Sequence, residues 1–422
     1  MLQYNSTTAL KGKQKFFTIL ILGLLSAIGP CSIDMYLPGF TGIAADLHTT
    51  VPEVALSLSS FFIGICFGQF LYGPLLDRYG RKPPLYAGLI LYLIASAGCV
   101  FAGSVNTLII LRLFEGIGSC AGMVAARAYV RDIFPVDEIA KVFSLLMLVI
   151  AVSPIIAPTA GGFIATHLGW HYIFVVLFLL AVFLLCTMHL ALPSGRPPDK
   201  SLSLKPIAIT KNFLSVIKNP QFSTYAFTGA FASAGLYAYI AGSPHVFMEL
   251  YKISEQQYGW IFAIIAMGLI TASQLNSLLL RKYSSSQIIR IALIFQTLTA
   301  IIMCVAILLN LLNAFGIIAC IFCFLSCQGF TFPNASALSL VPFEKNAGTA
   351  AALLGAIQMA TGTLSSAMVS VFSNSTAVPM ALIMALCAST ALTILLTGRR
   401  VMYSRARKQD IQDQVVETII TS

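Results

Sequence analysis

The sequence predicts an all-α integral membrane protein of twelve transmembrane helices in two pseudo-symmetric six-helix bundles, and three observations carry that expectation. About twelve apolar segments of roughly 18–24 residues follow one another, each long enough to cross a hydrocarbon core as a helix. Almost every lysine and arginine falls in alternate gaps between them. One longer polar stretch divides the row into six and six.

The first bundle, 16–192, holds spans near 16–38, 54–72, 85–103, 107–127, 142–164 and 171–192. Span 1 follows Lys11, Lys13 and Lys15; its apolar run exceeds a signal-peptide core and no small-residue cleavage site precedes Asp34, so it is read as a retained helix. The linker, 193–221, is rich in proline and charge and is expected on the cytoplasmic side. The second bundle, 222–397, holds spans near 222–244, 256–279, 287–309, 313–334, 348–371 and 377–397, and a basic, then mixed-charge tail, 398–422, follows as an inner-surface or disordered segment. With a cytoplasmic N-terminus, 23 of the 25 basic residues lie inside, Arg127 and Arg131 at the end of span 4 among them. Lys252 alone lies outside, and Arg112 lies within span 4. That asymmetry predicts an even number of spans with both termini cytoplasmic.

The chain is 58% hydrophobic and 9% charged. Its formal net charge of +10 would suggest a nucleic-acid binder in a soluble chain, but here the basic residues sit on short loops beside helix ends, so the charge is topological. No Ser/His/Asp, Cys/His or metal-ligand set is discernible, which argues against an enzyme. The ten cysteines fall in or beside spans without ligand spacing and read as small buried hydrophobes. A faint repeat supports two halves: Leu75, Leu76 and Arg78 match Leu278, Leu279 and Arg281 at a shift of 203 residues. Two bundles related by an axis along the membrane normal would hold a substrate site between them near the midplane.

The segment GPLLDRYGRKPPL at 73–85, between spans 2 and 3, resembles the loop signature of the major facilitator superfamily. In it Gly73 is expected to permit close helix approach, Asp77 to cap or face a helix N-terminus, Gly80 to turn the chain, and Arg78, Arg81 and Lys82 to hold the loop at the inner surface. LRLFEGIGSCAG at 111–122 resembles the superfamily's second motif, with Glu115 where glutamine is usual. AVSPIIAPTAGG at 151–162 is similar to the third motif, associated with drug:proton antiporters; Pro154 and Pro158 are expected to bend the helix and Gly161 and Gly162 to allow tight contact. Its altered form, with IDMYLPGF at 33–40 and AARAYVRDIFP at 125–135, resembles the Bcr/CflA subgroup of multidrug and bicyclomycin resistance transporters.

The resemblance implies the major facilitator fold and a proton-coupled secondary transporter that exports drugs or amphiphilic small molecules by alternating access. The alternative is a dedicated carrier, exporter or importer, of one metabolite such as a siderophore or amino-acid derivative. It implies a monomer in a bacterial inner membrane, with a small-molecule substrate and protons as partners, no nucleic acid, and neither cofactor nor metal. No G-x-x-x-x-G-K-[ST] phosphate loop is present, so the proton gradient is the expected energy source.

An intramembrane arginine needs a partner. Asp34 and Arg112 lie at similar depth and are expected to form the electrostatic centre of proton coupling, with Glu115 as the competing carboxylate. The alternatives are an Arg112/Glu115 pair that only packs the bundle and an Asp34 that is solvated. Softer candidates are Gln69, Asn276, Gln328, Asn334 and Gln358, explained equally well by interhelical hydrogen bonds, and Tyr237, Tyr239, Met267 and Met359 as an adaptable wall. His167 and His171 flank Trp170, an interfacial anchor.

Overall fold

A bilayer offers no water to backbone groups, so segments this apolar are stable only when their N–H and C=O groups bond within the segment. The chain accordingly forms long helices. The computed structural model describes residues 12–193, 195, 197–199, 213–343 and 347–421. Lys11, Arg196, Lys200, Lys205, Lys211 and Lys345, counted above as inner charges, lie outside the described residues.

Twelve long helices follow in order: α1 Gly12–Asp34, α2 Val51–Tyr79, α3 Lys82–Val100, α4 Val105–Ile133, α5 Val136–Leu168, α6 His171–Ala191, α7 Pro220–Pro244, α8 Glu255–Leu279, α9 Ser285–Leu308, α10 Ala314–Leu340, α11 Ala347–Phe372 and α12 Val378–Thr421. The last does not stop at 397 but continues as helix through the basic segment to Thr421. Among the described residues, eleven helices have the length and hydropathy of a membrane span. The exception, α7, has the length but is rich in Gly, Ala, Ser, Thr and Tyr, and nearly its whole circumference is buried against other helices. A helix shielded from lipid has no need of a strongly apolar surface.

The two halves pack alike. In the first, α1 lies on α4 and α5, α4 on α2 and α3, and α3 on α6; in the second, α7 lies on α10 and α11, α10 on α8 and α9, and α9 on α12. Each pair maps onto its counterpart by a shift of six helices, the symmetry that the faint repeat implied. Between the halves, α2 packs on α11 and α5 on α8, again a symmetric pair of contacts.

Close approach within the first half depends on glycine. A Cβ at Gly64 of α2 would lie 2.2 Å from the Leu113 carbonyl oxygen, and one at Gly116 of α4 would lie 2.2 Å from that of Phe61. Gly116→Ala is therefore expected to wedge α2 and α4 apart at a cost of about 1–3 kcal/mol or more. Thermal denaturation of the purified protein, monitored by size exclusion, measures it; an unchanged midpoint contradicts the packing described.

Candidate functional site

The motif IDMYLPGF ends α1. Pro38 lacks an N–H and fixes its own φ, so the chain turns through a short 3-10 segment, Leu37–Gly39, before a short helix, Phe40–Asp46. Asp34 is the last residue of α1 and is buried, 5% exposed. Among the described residues no ion pair or hydrogen bond holds its carboxylate. Tyr237, Tyr239 and Tyr258 of the second half and Cys31 one turn below lie within its electrostatic reach. Asp34 thus faces across the interface between the halves.

Arg112 does not pair with Asp34. Its Nη1 donates to Glu115 Oε2 at 2.7 Å, and both side chains are completely buried. Residues three apart on a helix share a face, so the partner on α4 itself is nearer than any on α1. The other fork, Nη2, donates to the Ser32 carbonyl at 3.0 Å. Carbonyls in a helix's last turn lack intrahelical donors, so Arg112 caps α1 from a neighbouring helix. The guanidinium also lies over the rings of Phe61 and Tyr36, at 4.2 and 4.5 Å from the ring centres. Glu115 accepts a second bond from Ser96 at 2.9 Å. Ser32 joins the cluster through Tyr92, 2.7 Å from its hydroxyl.

At the end of the first half remote from Asp34, the loop at 73–85 is held by charge. Arg81, 5% exposed, donates from Nη1 to Asp77 at 2.6 Å and from Nε and Nη2 to both carboxylate oxygens of Asp132, joining the ends of α2, α3 and α4. Burial works against this charge, but the hydrogen bonds and charges of Asp132 and Asp77 outweigh it and hold the guanidinium pKa above its ordinary value. Two expectations are corrected here. Among the described residues a Cβ at Gly73 would meet nothing within 4 Å, so no described helix approaches closely there. Asp77 binds Arg81 and does not cap α3, whose N-cap is Arg81 without a side-chain cap bond. Arg81 holds the loop, as expected of it, from a buried position. Arg78 also has a partner of its own, and Gly80 adopts φ +81° at the turn.

The linker seats on this clamp. The Asp199 N–H donates to the Asp77 carbonyl, Gly195 lies against Arg81 and Tyr129, and Phe213 meets Phe70 edge to face. The Asp77 side chain is half exposed, so its bond is worth only about 0.3–1 kcal/mol. Asp77→Asn is expected to leave substrate affinity unchanged while slowing turnover about two- to fivefold. Equal loss of binding and transport would contradict that.

The halves meet at the end where α1 stops and α8 begins. Glu255, first residue of α8, accepts from Thr41 at 3.0 Å and from Thr166 of α5 at 3.4 Å. A Cβ at Gly162 would lie 2.7 Å from the Glu255 carbonyl oxygen, and one at Gly259 would lie 2.8 Å from that of Pro158. Gly161 serves a contact within the first half, its Cβ position 2.1 Å from the Met35 carbonyl oxygen. Helix α5 runs unbroken through Pro154 and Pro158. Nearer the middle, Ser59 bonds Ser366 at 2.8 Å, and Gln69 lies against Gly355.

The remaining candidates divide. Gln328 donates to Ser233 and accepts from Gln296, and Asn334 donates to Asn276, all between helices of the second half. The Gln358 amide nitrogen is buried without a partner among the described residues. Tyr237 packs on Phe62 across the interface and directs its hydroxyl at Met359, whereas Met267 is exposed on the outer surface of the bundle. Trp170 donates to Asp46 at 3.1 Å and stacks on His171; His167 bonds the Phe163 carbonyl of its own helix. Sequence reading missed Glu255 and Tyr258. Glu255 looked like an ordinary acid in a helix's first turn, and nothing local marks a contact 214 residues distant.

Comparison with known proteins agrees with this architecture. The chain is 34% identical over 379 residues to an uncharacterized MFS-type transporter, YdgK, of Bacillus subtilis, covering 88% of this chain and 93% of that one. It is 32% identical over 375 residues to a bicyclomycin resistance protein homolog of Haemophilus influenzae, covering 89% and 94%. Identity to multidrug resistance protein D of Escherichia coli is 25%, over 83% and 87%. Among solved structures, a D-xylose-proton symporter shares the fold with a TM-score of 0.69 at 17% identity, over 90% of this chain and 97% of that one. The Major Facilitator Superfamily model matches residues 22–366, and the chain belongs to that family.

Proposed function

We propose that this transporter exports drug-like or amphiphilic small molecules in exchange for protons, with Asp34 carrying the proton. One observation carries the reading: a buried carboxylate stands without hydrogen bond or ion pair at the interface of two halves that must separate for alternating access. A charge so placed is costly until something compensates it. A proton or a bound cation does so, and competition between the two couples the fluxes. Arg112 and Glu115, bonded to each other, serve instead as a fixed pin that positions α1 and so Asp34. The resistance proteins among the relatives support a drug-like substrate.

In the cycle the outer seam of Glu255, Thr41 and Thr166 closes while substrate enters from inside. Rocking of the halves then breaks that seam and opens Asp34 to the outside. We place both termini in the cytoplasm of a bacterial inner membrane and take a single chain as the working unit. The test is a panel of antibiotics and metabolites added to energised inverted vesicles. One that collapses the interior acidification identifies ligand and direction; no response from any compound overturns the reading.

A further inference from the structure

Arg127 sits six residues from the inner end of α4, about 9 Å along the helix at 1.5 Å per residue. Counted from sequence as a boundary charge, it lies within the helix because α4 continues to Ile133. Two contacts fix its direction. Cys120, seven residues earlier on the same face, lies 2.5 Å from where a Cβ would stand on Gly68 of α2. The Met123 sulfur, four residues earlier, lies 2.9 Å from the corresponding position at Gly29 of α1. Positions i, i+4 and i+7 share a face, so Arg127 looks into the groove between α1 and α2. That side of the first half meets α11 of the second.

Arg127 is exposed although Ala125, Ala126, Tyr129 and Val130 around it are fully buried. Among the described residues no ion pair or hydrogen bond holds its guanidinium. Gly122 faces the Leu25 carbonyl across α1, which sets Arg127 and Asp34 about 20 Å apart along the helix axes at 1.5 Å per residue. The route from the inner mouth to the interface therefore carries an unpaired guanidinium at its entrance and an unpaired carboxylate at its depth.

We propose that Arg127 is a substrate-recognition residue at the inner mouth of the transport cavity, and that it selects molecules bearing an anionic, acceptor-rich group and no net positive charge, zwitterions foremost. This rests on the export reading above and names its substrate class. A planar guanidinium binds a carboxylate with two parallel hydrogen bonds. The cationic end of the same molecule then meets Asp34, where it competes with the proton. A lipophilic monocation instead meets an unpaired like charge before it can reach Asp34.

The experiment pairs each of three zwitterions, a fluoroquinolone, an aminobenzylpenicillin and the dipeptide Phe-Phe, with its own cationic methyl ester, and adds ethidium. Binding is read by thermal stabilisation of the purified protein, and proton-coupled movement in proteoliposomes. At least one zwitterion is expected to bind and move with KM about tenfold below its ester, and Arg127→Gln to lose that tenfold, the effect of one charge-assisted hydrogen-bonded pair. Arg127→Lys, keeping the charge without the fork, should recover part of it and show that folding is not at fault. Binding confined to ethidium and the esters, binding by no zwitterion, or an Arg127→Gln KM within about twofold of wild type overturns the inference. Proton-coupled ethidium movement alone would leave the export reading standing while sinking this one. Zwitterion binding lost in Arg127→Gln, without proton coupling for any compound, would do the reverse.

Discussion

Arg112→Leu is expected to remove most of the folded protein from the membrane, with a loss of about 3–5 kcal/mol. The substitution leaves Glu115 fully buried with only the Ser96 hydroxyl to answer its charge, and it strips the Ser32 carbonyl of its donor. Glu115→Leu should fail comparably, because a buried guanidinium left without an acceptor is equally expensive, whereas Glu115→Gln keeps an oxygen for Arg112 and is expected to fold. The double variant Arg112→Leu/Glu115→Leu is the informative one. With both charges gone it should recover a substantial part of the loss, since replacing both members of a buried pair by apolar groups is often near neutral. Arg112→Lys should fall between, because a compact ammonium cannot reach Glu115 and Ser32 together. Detergent-extracted yield and thermal midpoint across the four variants measure the coupling. Additive losses would mean that the pair is not an energetic unit.

Asp34→Asn is expected to abolish gradient-driven export while leaving folded yield within about 0.5 kcal/mol of wild type, the range of substitutions that disturb no packing or partner. Asparagine keeps the shape and, with no partner recorded for the carboxylate, breaks no bond. What it removes is the ability to exchange a proton. Counterflow of labelled substrate down its own gradient should survive, because rocking of the halves does not depend on Asp34. Loss of counterflow together with uphill export would assign Asp34 to substrate binding alone.

The helices and their order were legible in the sequence because membrane spans announce themselves by length and by the side on which the basic residues fall. Even α7, which falls short of the hydropathy of the others, lies on the expected span 222–244. The ends were less visible: α4 runs six residues past the expected boundary, which carried Arg127 from the end of its span into the bundle, and α12 continues through its basic segment. Partners were least visible of all. Arg112 announced its need for a carboxylate, and the one three residues away took it, leaving Asp34 alone at the interface. Gly161 and Gly162 do make the tight contacts expected of them, but Gly73 looked like a site of close approach on motif alone, and the contacts at Gly64, Gly116 and Gly259 were not foreseen. Such contacts depend on which helix lies opposite, and neither helix's sequence records that.

The most direct test of Asp34 as the proton carrier is proton release on substrate binding. Purified wild-type protein in weakly buffered solution is mixed with a saturating transported compound, and the protons released per compound bound are counted beside Asp34→Asn and Glu115→Gln. Wild type and Glu115→Gln should release protons with binding, and Asp34→Asn should release none while still binding a neutral compound. Release that persists in Asp34→Asn and vanishes in Glu115→Gln would move the proton to the Arg112 cluster and contradict the mechanism.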